Sequence, residues 1–414
     1  MPKNQKTNSW PTTKNEEKYW HNIAKQFMVD PEEVNLNTGS WGSLPKPVFD
    51  CMVENLTVLE GNPTRNRGIL VKNMTAAREA LGHFINASPQ DIAFVPNVTV
   101  AINMVVHGLT WQLGDEILAS DQEYGAIDNC LFHAEKRWGV IVKRAAIPIP
   151  PSSPDDIVQA FAEAITSKTR LLVCSHITTR TGLIVPVKAL SDLAHKHGIQ
   201  ILFDGAHGPG MVPLDMANWG CDYYGGNCHK WLCAPKGTGF LYVRPELQER
   251  LHHIMVSWGY NKNGPNRNEQ GQLQINGQPY MWQLEHWGTR DMACFCAIKD
   301  AVDFQQNIGK DRIIARGQQL AGYLRAKLLA FDWAKLLTPV HPDMTGSLST
   351  FCYTHMPADL GSTLYDTYRI TTPVFSEPTT LSQRVSTHFY NSFQEIDILL
   401  EALQTVHATH QKTI

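Results

Sequence analysis

The chain has no CxxC pair, no block of like charge, no low-complexity tract and no internal repeat. It also has no apolar run long enough to cross a bilayer. Each absence removes a class of function. The nine cysteines are an odd number and scattered, and neither Cys228 with Cys233 nor Cys294 with Cys296 has structural zinc spacing. Lys and Arg number 36 against 39 Asp and Glu, so no nucleic-acid or anionic-membrane partner is expected. The N-terminal stretch lacks an apolar signal core, which makes the cytoplasm the expected location and buried, reduced thiols the expected state of most cysteines. The 17 histidines are not clustered at ligand spacing, and no metal is expected.

What is present is an ordinary globular composition, 43% hydrophobic and 18% charged, over 414 residues. That length exceeds one small core and predicts two packed units. Residues 1–33 are expected as an N-terminal arm, 34–290 as a large α/β domain and 291–414 as a smaller α+β domain.

From about residue 90 to 205, short apolar β-branched runs alternate with helical periods. DIAFVP, DEILAS, VIVKRAAI, TRLLVCSHI and IQILFDGAH read as strands. VTVAINMVVHGL, YGAIDNCLFHAEKRWG, SPDDIVQAFAEAI and VKALSDLAHKHG read as helices between and after them. Strands apolar on both faces predict a parallel sheet covered by helices. Ligands of such sheets collect at the carboxyl ends of the strands. Tyr124, Thr178, Asp204 and His207 all fall just past strand ends. Thr99 opens a helix directly after a strand, where unpaired amides can either be capped or hold a phosphate.

GNPTRNRG, residues 61–68, reads as a basic solvated loop in which Arg65 and Arg67 are available to an anion. Residues 256–290 read as one long ordered loop, rich in Gly, Asn and Trp. The turn at residues 37–42, which includes Ser40, offers amides and a hydroxyl to a substrate edge or is a plain turn.

ILFDGAHG and GGNCHKW put Asp204 and Lys230 on two segments that such a sheet returns to one cleft. One chemistry suits that pair: an imine between Lys230 and pyridoxal phosphate, with Asp204 on the pyridine nitrogen. Taken alone, the two are equally an ordinary strand end and one lysine of many.

The ordered set LNTGSWG, PNVTVAIN, DQEYGA, SHITTRTG, FDGAHG, GNCHKW, WGTRD and RVSTHFYN resembles the class V branch of the fold-type I pyridoxal-phosphate enzymes. Within that branch it is most similar to the isopenicillin N epimerase-like group, whose relatives include cysteine desulfurases and C–S lyases. The resemblance implies a homodimer with a shared site and a small amino-acid-like substrate. Lys230 would carry the cofactor, Asp204 would keep its pyridine nitrogen protonated, Tyr124 would stack on the ring and His207 would lie beside its phenolic oxygen. Val98, Thr99 and His229 would hold the phosphate. Asn227 stands where a serine or threonine is common, and Thr289 would reach the partner subunit's phosphate. Arg384 would clamp the substrate carboxylate, beside Ser40. Thr179 and Arg180 depart from the small or amide residues usual in their loop, so Arg180 either reshapes the substrate side or points to solvent.

Proton abstraction at Cα by Lys230 would then lead to epimerisation, β-elimination or transamination, with Tyr124 or a nearby histidine as the second acid of an epimerase. Residues 353–383 contain no cysteine, which argues against a persulfide-forming desulfurase. Intact Lys230, Asp204 and Arg384 argue against a catalytically silent scaffold.

Overall fold

The structure is a computed structural model and describes residues 13–258, 260, 263–377 and 380–412. The first 12 residues of the expected arm lie outside the described residues. Seven strands make the central sheet: β1 (Ile92–Val95), β2 (Glu116–Ser120), β3 (Ile141–Ala145), β4 (Thr169–Ser175), β5 (Gln200–Gly205), β6 (Tyr223–Asn227) and β7 (Gly239–Val243). Their order is β1-β7-β6-β5-β4-β2-β3. Only β7 runs against the others.

Successive side chains of a strand point to opposite faces, and both faces here are covered. Phe94, Leu118, Leu172, Ile201 and Phe203 enter one apolar core, while Val95, Ile117, Val173 and Leu202 enter the other. This is why the strands read as nearly continuous apolar runs. The edge strand β3 departs from that expectation, exposing Lys143 and Arg144, which blunt the open edge.

The helices are α1 (Lys14–Ala24), α2 (Lys46–Gly61), α3 (Pro63–Ile85), α4 (Val98–Gly108) and α5 (Gly125–Trp138) in the first third of the chain. On α5, Ile127, Cys130, Leu131 and Ala134 are buried at helical spacing. A fully buried leucine of this kind contributes roughly 1.5–3 kcal/mol. GNPTRNRG is not a loop: Pro63 occupies the first turn of α3, and the Asn62 side chain caps the Arg65 amide. Arg65 and Arg67 are exposed on that helix. The long segment expected as a loop contains three short strands, Asn266–Arg267, Leu273–Ile275 and Gln278–Pro279, and the helix Tyr280–Leu284.

A second core surrounds a four-stranded antiparallel sheet of β8 (Ala334–Leu336), β9 (Leu348–Tyr353), β10 (Val374–Glu377) and β11 (Thr380–Ser386), ordered β8-β9-β11-β10. Phe351 and Val385 of this sheet pack on Leu320, Leu324, Ile396 and Leu403 of the flanking helices. Val34 and Leu36 join the same core, where Val34–Asn35 pairs in parallel with Ile370–Thr371. The helix Ile298–Ile308 instead packs on α2 and α3 and adds Ile298, Ala301 and Val302 to the large core.

Candidate active site

The carboxyl edge of the sheet carries the chemistry. Asp204 is the penultimate residue of β5, 3% exposed, and its Oδ1 accepts the Ala206 amide at 2.8 Å. Burial pushes its carboxyl above the usual range; the Ala206 amide and the Lys230 charge oppose that. Lys230 follows β6 in a turn closed by the Cys233 amide on the Lys230 carbonyl. Burial brings its ammonium down to about 8, with Arg384 adding to the effect and Asp204 opposing it. A lysine held this near neutrality releases its proton readily, as an imine-forming amine or a general base must.

The turn at residues 37–42 backs this lysine. The Gly42 amide donates to the His229 carbonyl at 2.9 Å, and a Cβ on Gly42 would lie 2.0 Å from the Lys230 carbonyl oxygen. Glycine is required there by close approach of two backbones.

The start of α4 sits beside the same edge because β6 carries glycine where they meet. A Cβ on Gly225 would come within 2.9 Å of both Val98 and Ala101. The Val98 amide is taken by Asn227 Oδ1 at 2.8 Å, and the Val100 amide by Asn97 Oδ1 at 3.1 Å. Thr99, half-buried between them, presents its amide and hydroxyl at the positive end of the helix. Val98 therefore donates to Asn227 and not outward. His229 donates Nδ1–H to the Thr238 carbonyl at 3.0 Å, and burial brings its imidazolium down to about 4. Its Nε2 would gain a proton only opposite an anion.

Arg384 reaches the cleft from β11. It is 3% exposed, and burial brings its guanidinium down to about 10. Its Nη2 donates to Ser40 Oγ at 2.9 Å and Asn37 Oδ1 at 3.1 Å, and Nη1 to the Thr179 carbonyl at 3.3 Å. All three acceptors are neutral. Among the described residues its Nε is buried without a partner. A buried cation without a carboxylate is costly and awaits an anion. Tyr124, the residue before α5, is 48% exposed and close enough to influence the charge on Arg384.

His207 is 1% exposed, with Nε2 3.4 Å from Thr179 Oγ1. Its Nδ1 lies 3.1 Å from Trp231 Nε1. Arg180 is exposed and lies over the Phe375 ring of β10, 5.5 Å from its centroid. Thr289 is exposed, next to Arg290, which donates to the Phe94 carbonyl of β1 at 3.2 Å and pairs with the buried Glu285. No contact joins Thr289 to the cleft within one chain among the described residues.

Three residues were missed. Glu123, buried below Asp204, accepts Ser175 Oγ at 2.6 Å, the Ser175 amide at 3.1 Å and the Ser120 hydroxyl. Burial brings its carboxyl up to about 7, and the nearby Asp204 also raises it. Its place in DQEYGA, an acid just past a strand end, was the available signal. Asn37 and Trp231, which orient Arg384 and His207, carried no such signal. A cavity of about 530 Å³ opens elsewhere, between Pro150 and His341, but the only lysine lining it, Lys335, is exposed. Buried charge, not volume, marks the site.

These residues suit pyridoxal phosphate: an amine near neutrality beside a buried acid, the Thr99 amide and hydroxyl at a helix start for a phosphate, and a buried guanidinium with no carboxylate partner and, among the described residues, an unpartnered Nε for a substrate carboxylate. The comparisons agree. The chain matches the family described as "Aminotransferase class-V" over residues 36–399. It is 37% identical to isopenicillin N epimerase of Amycolatopsis lactamdurans over 393 residues, 93% of this chain and 98% of that protein. It is 34% identical to isopenicillin N epimerase of Streptomyces clavuligerus, over 94% and 98% of the two chains. Among solved structures, the cystine C-S lyase C-DES superposes with a TM-score of 0.80 at 23% identity, covering 90% of this chain and 97% of that one. The chain is therefore a pyridoxal-phosphate-dependent enzyme of fold type I and belongs to the class-V aminotransferase family.

Proposed function

We propose that the enzyme epimerises or racemises the α-carbon of an amino acid or small peptide-like amine. The observation that carries this reading is the near full-length similarity to two isopenicillin N epimerases at 34–37% identity. Lys230 would hold the cofactor, with Asp204 serving its ring nitrogen and Thr99, Asn227 and His229 its phosphate. When bound, the cofactor draws electrons from the substrate α-carbon and so acidifies its proton.

Arg384 exchanges its neutral partners for the substrate carboxylate, a charge-assisted bidentate pair. That clamp fixes which Cα bond faces Lys230, and the Lys230 amine, held near neutrality by burial, removes the proton. Inversion requires a proton returned from the opposite face. Tyr124 is the group assigned that role, because it lies at the cleft mouth near Arg384. Thr289 would complete the phosphate site of a second copy, so that the working form would be a dimer.

A second reading, C–S bond cleavage by β-elimination, draws support from more distant relatives such as a putative L-cysteine desulfhydrase of rice, 28% identical. Cys352 does not supply a desulfurase nucleophile: it is half-buried in β9, held in register between Lys335 and Ser382. Candidate amino acids incubated with the enzyme in deuterated water separate the readings. Epimerisation predicts deuterium at Cα of recovered substrate with both configurations present. A keto acid with released thiol, and no inverted substrate, would overturn it.

A further inference from the structure

The residue after the lysine is a buried tryptophan that the chemistry above does not use. Trp231 is 2% exposed and held on several sides. Its carbonyl accepts Gln305 Nε2 at 2.6 Å, and its ring stacks on His388 at 5.7 Å and 20°. A Cβ on Gly210 would come within 2.5 Å of its carbonyl carbon, so the backbone is wedged as well. This fixed indole aims Nε1–H at His207 Nδ1, 3.1 Å away.

An indole nitrogen only donates, so His207 Nδ1 must be bare. Burial, with the positive charges of Lys230 and Arg384, keeps the His207 imidazole neutral by holding its proton affinity well below the ordinary value. A neutral imidazole has one proton, which therefore sits on Nε2, toward Thr179 Oγ1. The Thr179 carbonyl in turn accepts Arg384 Nη1. One directional chain thus runs from Trp231 through His207 to Thr179, and Thr179 also braces the carboxylate arginine.

We propose that Trp231 is a positioning residue that locks His207 in the Nε2–H tautomer, making it a fixed neutral donor that moves no proton during turnover. Its consequence for catalysis rests on the epimerase reading: the proton delivered opposite Lys230 then comes from Tyr124 and not from His207. The tautomer itself does not depend on that reading.

The test is nuclear magnetic resonance of full-length protein labelled with ¹⁵N-histidine, loaded with pyridoxal phosphate and without it. The signal is assigned by its loss in His207→Gln. In the native enzyme, long-range proton–nitrogen correlations should show Nε2 protonated and Nδ1 bare at neutral and alkaline pH. Trp231→Phe should mix the tautomers and lower kcat by up to about 10-fold, the worth of one hydrogen bond, with KM little changed. A proton on Nδ1 in the native enzyme overturns the proposal, and so does an unchanged tautomer in Trp231→Phe. If that variant does not fold, the native spectrum still decides. Loss of the epimerase reading in deuterated water would leave the tautomer result standing, so the two failures are distinguishable.

Discussion

Glu123 offers a quantitative handle on the site. Among the described residues it is buried without a cation, and its hydrogen bonds come only from Ser120 and Ser175. Burial raises its carboxyl from the ordinary 4.5 to about 7. The folded protein therefore binds this proton more tightly than the unfolded chain does, so stability falls as pH rises from 4.5 to about 7 and then levels off. At about 1.36 kcal/mol per pH unit, the gap between those values is worth about 3 kcal/mol. Glu123→Gln keeps the shape and can still hydrogen-bond both serines, but has no charge to desolvate. Urea unfolding of cofactor-free native and variant proteins should give a stability difference in favour of the variant. That difference should grow through this window to about 3 kcal/mol above pH 7 and vanish below 4.5. Parallel pH profiles, or a variant that is less stable at alkaline pH, would refute the reasoning.

Arg384→Gln should separate stability from function: removing an uncompensated buried cation raises the melting temperature, while kcat/KM falls roughly 100-fold through loss of charged hydrogen bonds to the carboxylate. Steady-state kinetics and calorimetry on the same preparation check both halves. Gly42→Ala places a methyl against the Lys230 carbonyl and should cost about 3 kcal/mol or displace the lysine turn, read as weaker cofactor retention on dialysis. Arg78→Leu leaves Glu285 without its bidentate partner in the buried network under β1, and should cost about 3–5 kcal/mol in denaturant unfolding.

The alternation of apolar runs and helical periods made the parallel sheet legible, and with it the edge where Asp204, His207 and Lys230 meet. Strand ends are local properties, and so is a helix start such as Thr99. Partner choice is not local. Glu123 meets Ser175 only because β2 and β4 are neighbours, and Ser175 meets Asp204 only through the register of β4 on β5. Nothing local in the sequence shows the Trp231 N–H aimed at His207. Arg384 depends on Asn37 and Ser40, more than 340 positions away. The start of α3 was misread for another reason. Asn62 and Pro63 are sound cap signals, but Gly68 and the charged, exposed first turns hid the period.

The account stands on Lys230 as the residue that carries the cofactor. Borohydride reduction of the loaded enzyme, followed by protease digestion and mass spectrometry, should find the pyridoxyl group on the peptide containing Lys230 and on no other lysine peptide. Label on a different lysine, or none on an enzyme that has bound pyridoxal phosphate, would contradict it.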